Sequence, residues 1–456
     1  MTSYLITGAQ PYGEDATDLL LRDGMILAVG AEAVQRSAEQ TDLTTLDGEG
    51  LIVLPGMVDL HTHLREPGRE DAETVETGTR AAALGGFTAV HAMANSSPVA
   101  DTAGVVEQVH RLGLQAGWSE VYPVGAVTVG LKGEKLAELG AMAESSAQVR
   151  MFSDDGHCVA DPQLMRRALE YVKSIDGFVA QHAQDPSLTA WGTANAAQMN
   201  EGEVSAVLGL PGWPAVAEEA IIARDVLLAQ HVGARLHICH VSTAGSVEII
   251  RWAKERGISV TAEVTPHHLL LTDELVRSYD PVYKVNPPLR TQKDVEALRA
   301  GLADGTIDVI GTDHAPHPTQ DKECEWVQAA MGMTGLETAL SVVQHAMVDT
   351  GLIGWRRFAE VTSQRPAQIY GHAHQGRPIA AGEPANLILV DPAAVREVRP
   401  DAHASKGRNS PFRGLQLPGQ VRATFLSGHP VVLDGALATP ISSQAGLPGR
   451  TGDSRP

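Results

Sequence analysis

Two histidines one residue apart, His61 and His63 in Asp59-Leu60-His61-Thr62-His63-Leu64-Arg65, are the first residues in this chain whose types and spacing could do chemistry. They follow the apolar run Leu51-Ile52-Val53-Leu54-Pro55-Gly56-Met57-Val58, and side chains alternate along a strand, so positions i and i+2 aim two imidazoles at one place. Neutral imidazole binds divalent metals. Arg65, next on that face if the strand continues, adds a fixed cation able to hold a substrate carboxylate. A His-x-His pair also occurs on half-buried strands without metal, so the later segments carry weight. Phe152-Ser153-Asp154-Asp155-Gly156 ends an apolar run in two carboxylates, of which alternation lets only one face a given side, although Asp-Asp-Gly alone is more often a turn. Val179-Ala180-Gln181-His182, Leu236-His237-Ile238-Cys239-His240 and Val309-Ile310-Gly311-Thr312-Asp313 likewise end apolar runs in histidine or aspartate. A single strand-end histidine is usually a satisfied core residue; two on successive strands are harder to read that way. Together, four histidines and two aspartates supply the nitrogen and oxygen ligands that Zn²⁺ accepts. Six are too many for one tetrahedral zinc and suit two metals about 3.5 to 4 Å apart that share a carboxylate.

Such residues must be held by strand ends. Apolar runs at Phe87 to Ala92, Glu120 to Val124, Val149 to Ser153, Gly177 to His182, Arg235 to His240, Ile258 to Val264 and Ile307 to Thr312, with the strand that carries His61, make eight strands. Helical stretches such as Glu73 to Leu84, Leu164 to Ser174, Val216 to Gln230, Gly245 to Glu255 and Gly335 to Val348 separate most of them. This pattern predicts an α/β chain with a (β/α)₈ TIM-type barrel over residues 56–374, and in such barrels the chemistry sits at the C-terminal ends of the strands. Before it, Tyr4 to Thr7, Asp18 to Arg22 and Met25 to Val29 read as strands, the last two joined by Asp23-Gly24, a hairpin signal. Such a unit cannot bury both its faces alone. Ala385 to Val390, Gln420 to Leu426 and Pro430 to Leu433 offer the partner, which predicts a composite β-sandwich domain from residues 1–55 plus 375–436. Residues 437–456, rich in Pro, Gly, Ser and Arg, are expected to be a disordered tail.

Composition is that of a globular protein, with 43% apolar and 20% charged residues. No apolar run approaches the ~18 residues of a membrane span. A formal charge of −20 argues against nucleic acid or an anionic membrane as partner and requires a local cationic site for any anionic substrate. Three scattered cysteines make no disulfide framework, and Met1-Thr2-Ser3-Tyr4-Leu5-Ile6 lacks the basic-then-apolar order of a signal peptide, so a reducing cytoplasm is expected.

Val58 to Gly68, Ala92-Met93-Ala94-Asn95, Ser153-Asp154-Asp155-Gly156, His237 to Thr243, Lys284-Val285-Asn286-Pro287-Pro288-Leu289-Arg290 and Gly311-Thr312-Asp313-His314-Ala315-Pro316-His317 resemble the signature of the amidohydrolase superfamily and, within it, the long bacterial (class I) dihydroorotase family. The resemblance spans nearly all of residues 1–435. It implies His61, His63 and Asp313 on one Zn²⁺, His182 and His240 on a second, and Asp155 as the bridge, by its spacing to the next histidine. It further implies that Arg65, Asn95 and His317 hold a substrate carboxylate beside His63, that Asn286 and backbone at Met331-Gly332 hold a ring amide, and that Asp313 is catalytic, carrying a proton during cyclic amide hydrolysis. Here Ala94 stands where many relatives have proline, and Met331 where an aromatic residue is common. His237, at i−3 from His240, is expected as core or as a support behind the ligands. Two rivals stand beside this reading. One is another cyclic amidase, a dihydropyrimidinase, hydantoinase or allantoinase, which typically bridges its metals with a carboxylated lysine; the run Val149 to Asp155 has none. The other is a non-catalytic relative serving as scaffold for aspartate transcarbamoylase, which would have lost ligands that are all present here. A small-molecule substrate and a homo-oligomer, with aspartate transcarbamoylase as a conceivable associate, complete the expectation.

Overall fold

The computed structural model describes residues 2–190, 192 and 196–441. The terminal strands Ser3–Pro11, Thr17–Arg22, Met25–Val29, Leu43–Asp47 and Ile52–Pro55 join Leu387–Glu397, Gln416–Leu426, His429–Leu433 and Ala436–Leu437 in one nine-stranded sheet. The two ends of the chain meet where Ile52–Pro55 runs antiparallel to Leu387–Val390, with Val53 opposite Leu389. These strands form two wings, hydrogen-bonded into one continuous sheet. Ser3–Pro11 belongs to both: one edge pairs with Thr17–Arg22 from Tyr4 to Ala9, with a register break between Ile6 and Ala9, while the other edge pairs with Leu43–Asp47 through Thr7 and with Ile52 and Val53 from Gln10. Ile6, Leu19 and Ile26 from one wing and Val53, Leu389 and Phe425 from the other share one apolar cluster, which is how each wing covers the other's face.

Parallel strands alternate with helices between these ends. Met57–Thr62, Phe87–Ala92 and Glu120–Pro123 form one parallel sheet; Met151–Phe152, Phe178–Gln181, Leu236–Ile238, Val260–Val264 and Val309–Ile310 form another. Two single parallel bridges, Gly125 with Phe152 and Thr62 with His314, link the two sheets at both sides. Leu60, Val124, Met151, Phe178 and Val309, drawn from both, are buried in one cluster. The helices cover the outside with small and branched residues: Ala244–Glu255 starts at the N-cap Thr243, whose hydroxyl accepts from the Ser246 N–H, and buries Val247, Ile250 and Ala253 at helical spacing.

Two expectations are corrected. The helix read over 335–348 begins at Ala339 and changes to a π-helical turn at Gln344–Val348, while the Gly335 N–H before it donates to His314 Nδ1 at 3.1 Å. Residues 437–441 are ordered: Leu437 pairs with Val432, and the Ile441 N–H donates to Gly117 O at 2.9 Å. The rest of the expected tail, from 442, lies outside the described residues.

Candidate metal centre

The strand ends bring the six predicted ligands to one place. Asp155 Oδ1 lies 3.4 Å from His61 Nε2, 3.3 Å from His182 Nδ1 and 3.2 Å from His240 Nε2, while its Oδ2 lies 3.3 Å from His63 Nε2. Asp313 Oδ1 is 3.0 Å from His63 Nε2 and 3.5 Å from His61 Nε2. All six residues are buried. Both oxygens of Asp155 therefore face different histidines, as a bridging carboxylate must. Asp154 turns the other way, as strand alternation requires: its Oδ1 accepts from the N–H groups of Val127 and Thr128 at 2.8 and 2.9 Å, and its Oδ2 from the Thr128 hydroxyl. Asp155→Ala is accordingly expected to lose bound metal and activity together. Asp154→Ala should instead lower the melting temperature and retain metal, and elemental analysis beside a thermal melt reads both outcomes.

The far nitrogens decide what the near ones can do. His61 Nδ1 sits 2.5 Å from Glu263 Oε1, His63 Nδ1 2.8 Å from Asn95 Oδ1, and His182 Nε2 2.8 Å from Gln184 Oε1. Each partner is an acceptor, so each far nitrogen carries the proton and the nitrogen facing the cluster keeps its lone pair. His61 Nε2 is buried and hydrogen-bonds to nothing among the described residues. The electrostatics ask for a cation in the same place. Where protons rather than a metal occupy the nitrogens facing the cluster, burial alone would raise Asp155, yet the charge of His61 and hydrogen bonds from His182 and His240 hold its carboxyl well below the usual range. Burial would lower His61, but Asp155, Glu263 and Asp313 push it well above. A cluster that stabilises positive charge, with imidazole lone pairs and carboxylate oxygens converging, fits a divalent metal.

Glu263 escaped the sequence reading. It ends an apolar strand, accepts from the His240 N–H at 3.0 Å with Oε1, and places Oε2 3.2 Å from His237 Nε2. His237 is thus a support behind the ligands. The one available signal was an acid inside Val260-Thr-Ala-Glu-Val264. Because this carboxylate orients both His61 and His240, Glu263→Gln is expected to weaken metal binding about 10- to 100-fold, read by chelator competition.

The residues expected to meet substrate surround this cluster, with two corrections. The strand ends at Thr62, so Arg65 does not continue its alternation: it has φ 60°, donates from Nε to Pro316 O at 3.2 Å, and brings Nη2 within 3.5 Å of His317 Nε2. Gly332 has no hydrogen-bonding capacity to spare for a ring amide. Its N–H donates to Lys284 O at 2.9 Å, and its carbonyl accepts from Lys322 Nζ at 3.0 Å and Asn409 Nδ2 at 3.1 Å. Its φ of 142°, and a gap to His317 Nε2 that would leave a Cβ at 2.8 Å, explain why glycine stands there. Met331 contributes its carbonyl, 2.9 Å from His317 Nε2. Asn286 donates to Gln184 Oε1 at 3.2 Å and keeps a buried Oδ1 with no partner among the described residues, as does His267 its Nε2. Arg65, His240 (φ 31°) and Asp313 (φ 46°) all occupy the left-handed region, a strain on the order of 1–3 kcal/mol each that the surrounding network must offset.

A family model described as dihydro-orotase-like matches residues 50–246. The dihydroorotase of Streptomyces coelicolor is 64% identical over 437 residues, spanning 96% of this chain and 100% of that protein. The chain belongs to the dihydroorotase family. The dihydroorotases of Leifsonia xyli subsp. xyli and Mycobacterium tuberculosis are 63% and 54% identical, covering 97% and 95% of this chain and 99% of each of theirs. Among solved structures, an L-hydantoinase (dihydropyrimidinase) from Arthrobacter aurescens superposes with a TM-score of 0.83 at 24% identity, over 96% of this chain and 98% of that one. A D-hydantoinase gives a TM-score of 0.82 at 22% identity, over 96% and 97%. At that identity the likeness is one of fold. This dihydroorotase-family chain therefore shares its architecture with hydantoinases and its sequence with dihydroorotases.

Proposed function

We propose that this chain interconverts N-carbamoyl-L-aspartate and (S)-dihydroorotate in pyrimidine biosynthesis, as a metal-dependent hydrolase of a cyclic amide. The observation that carries the proposal is the convergence of His61, His63, His182 and His240 on the two oxygens of Asp155, with Asp313 against His63. The two parallel sheets and their two bridges are read as one closed (β/α)₈ barrel over 56–374, with 1–55 and 375–436 as the composite β domain. Two Zn²⁺ would be held, one by His61, His63 and Asp313, the other by His182 and His240, with Asp155 on both. When bound, the metal pair supplies Lewis acidity to the scissile carbonyl and makes water a competent nucleophile near neutral pH.

The chain's own residues do the rest. Asp313, at the strand end and against His63, takes the proton from the attacking water and gives it to the leaving ring nitrogen; for ring closure it works in reverse. Arg65 and His317 stand side by side to receive the substrate carboxylate, and Asn95 fixes His63 from behind while facing the same space. The unpartnered Asn286 Oδ1 accepts the ring N–H. All three cysteines are free, which suits a reducing cytoplasm, and among the described residues no helix is long and apolar enough to cross a membrane.

The test is an assay of both directions of this interconversion, with hydantoin, dihydrouracil and allantoin as controls and metal content measured on the same sample. Turnover confined to the carboxylated pair, with close to two zinc ions per chain, is expected. Preference for a control substrate would move the cyclic-amidase reading ahead, and absence of metal after reconstitution would leave only the scaffold.

A further inference from the structure

Asn409 lies between the strands Leu387–Glu397 and Gln416–Leu426, far along the chain from every residue of the metal cluster, and its side chain is buried. Its Oδ1 accepts the His317 N–H at 3.1 Å. Its Nδ2 donates to Ala315 O at 2.9 Å and Gly332 O at 3.1 Å, and its own carbonyl accepts the Thr334 N–H at 3.1 Å. One side-chain amide thus fastens two segments, 315–317 after the last parallel strand and 331–334, that meet beside Arg65. Between themselves these segments share the bridge of His314 with Met333, the Ala315 N–H to Met333 O bond beside it, and the 2.9 Å contact of His317 Nε2 with Met331 O. The approach is tight: a Cβ on Gly407 would lie 2.7 Å from Pro316 and 2.8 Å from Thr334, so the chain passes there only as glycine. Among the described residues, Asn409 hydrogen-bonds to none of the six residues of the metal cluster.

We propose that Asn409 is a positioning residue for substrate recognition: by holding His317 and the Met331-Gly332 wall in register, the C-terminal segment sets the geometry of the carboxylate site without touching the metal cluster. The inference rests on the dihydroorotase reading above. Three backbone anchors on its side chain and a fourth, from Thr334, on its carbonyl converge on one residue, whereas packing alone would have asked only for shape. The His317 ring, whose Nε2 is 3.5 Å from Arg65 Nη2, moves with its backbone, so loosening Asn409 displaces one half of the carboxylate clamp; Pro316 O, which accepts from Arg65 Nε, lies in the same segment.

The test compares Asn409→Ala and the near-isosteric Asn409→Asp with wild type. The Asp variant keeps the acceptor for the His317 N–H and sets a carboxylate oxygen against two carbonyls. KM for both dihydroorotate and N-carbamoyl-aspartate is expected to rise at least tenfold, about 1.4 kcal/mol, with kcat within threefold and zinc content unchanged. Should the Ala variant fail to fold, the Asp variant carries the same expectation. A second arm places each substitution in a His317→Ala background. If Asn409 acts through His317, its effect on KM should shrink to less than threefold there, since coupled residues are not additive. An unchanged KM in a folded variant, a parallel fall of kcat and zinc, or full additivity with His317→Ala would overturn the inference. Wild type inactive on dihydroorotate would instead sink the underlying reading of function.

Discussion

Asp313→Asn is expected to cut kcat for dihydroorotate by about 10³-fold while the protein keeps part of its metal, because a positioned general acid–base contributes roughly 10² to 10⁴ and an amide cannot relay a proton. The shape of the side chain is preserved, so the 3.0 Å approach to His63 Nε2 survives in some form. What disappears is the basic oxygen. In the wild type, burial would raise the Asp313 carboxyl, but the charges of His61 and His63 hold it below the usual carboxylate range, so it stays ionised and ready to accept through the neutral region. Steady-state kinetics in both directions, with elemental analysis of each sample, separates the two roles. Loss confined to metal would make Asp313 a ligand only; full metal with near-normal turnover would remove it from the chemistry.

How far the sequence could be read follows from how local each relation is. His61 lies in its strand and His63 directly follows its end, so alternation was enough to aim them together; the same rule said that only one of Asp154 and Asp155 faces the cluster, and the resemblance's spacing to the next histidine chose Asp155. The rule failed at Arg65 because it assumed a strand that stops at Thr62; beyond that point the backbone turns left-handed, and periodicity says nothing about where a side chain goes. Glu263 could be suspected as an acid in an apolar strand, but its partner His61 is 202 positions away, and no spacing rule connects them. Asn409 lay deeper still. It sits in a segment assigned to the β domain on strand pattern, and its work is done through backbone groups of residues 92 and 77 positions distant. The join between the two wings was out of reach for a related reason: one edge of Ser3–Pro11 pairs first with Leu43–Asp47 and then with Ile52 and Val53, and where that change falls is set by tertiary pairing.

Arg65→Lys is expected to lower kcat/KM for dihydroorotate by roughly 10²-fold or more and to erase the preference over dihydrouracil, with the metals retained. Dihydrouracil is the same ring without the carboxylate, so any discrimination against it measures how that carboxylate is held. The guanidinium of Arg65 has Nε committed to Pro316 O and Nη2 beside His317, a fork that can bond a carboxylate at two points while remaining anchored. Burial lowers its pKa to about 10 against the attraction of Asp313, which still leaves it cationic at neutral pH. A chain carrying −20 overall would otherwise repel a dianionic product, so this local charge has to supply both attraction and orientation. Lysine keeps a charge and loses the fork. One charge-assisted hydrogen bond of about 1.5–3 kcal/mol corresponds to roughly 10- to 100-fold, and lost alignment of the ring adds to it. In the wild type, dihydrouracil leaves a desolvated guanidinium without a partner, and that penalty is the discrimination. Competition between the two substrates in one reaction measures the ratio directly. A lysine variant that keeps it would mean that the carboxylate is read elsewhere, with the His317 and Asn95 side chains as the places to look.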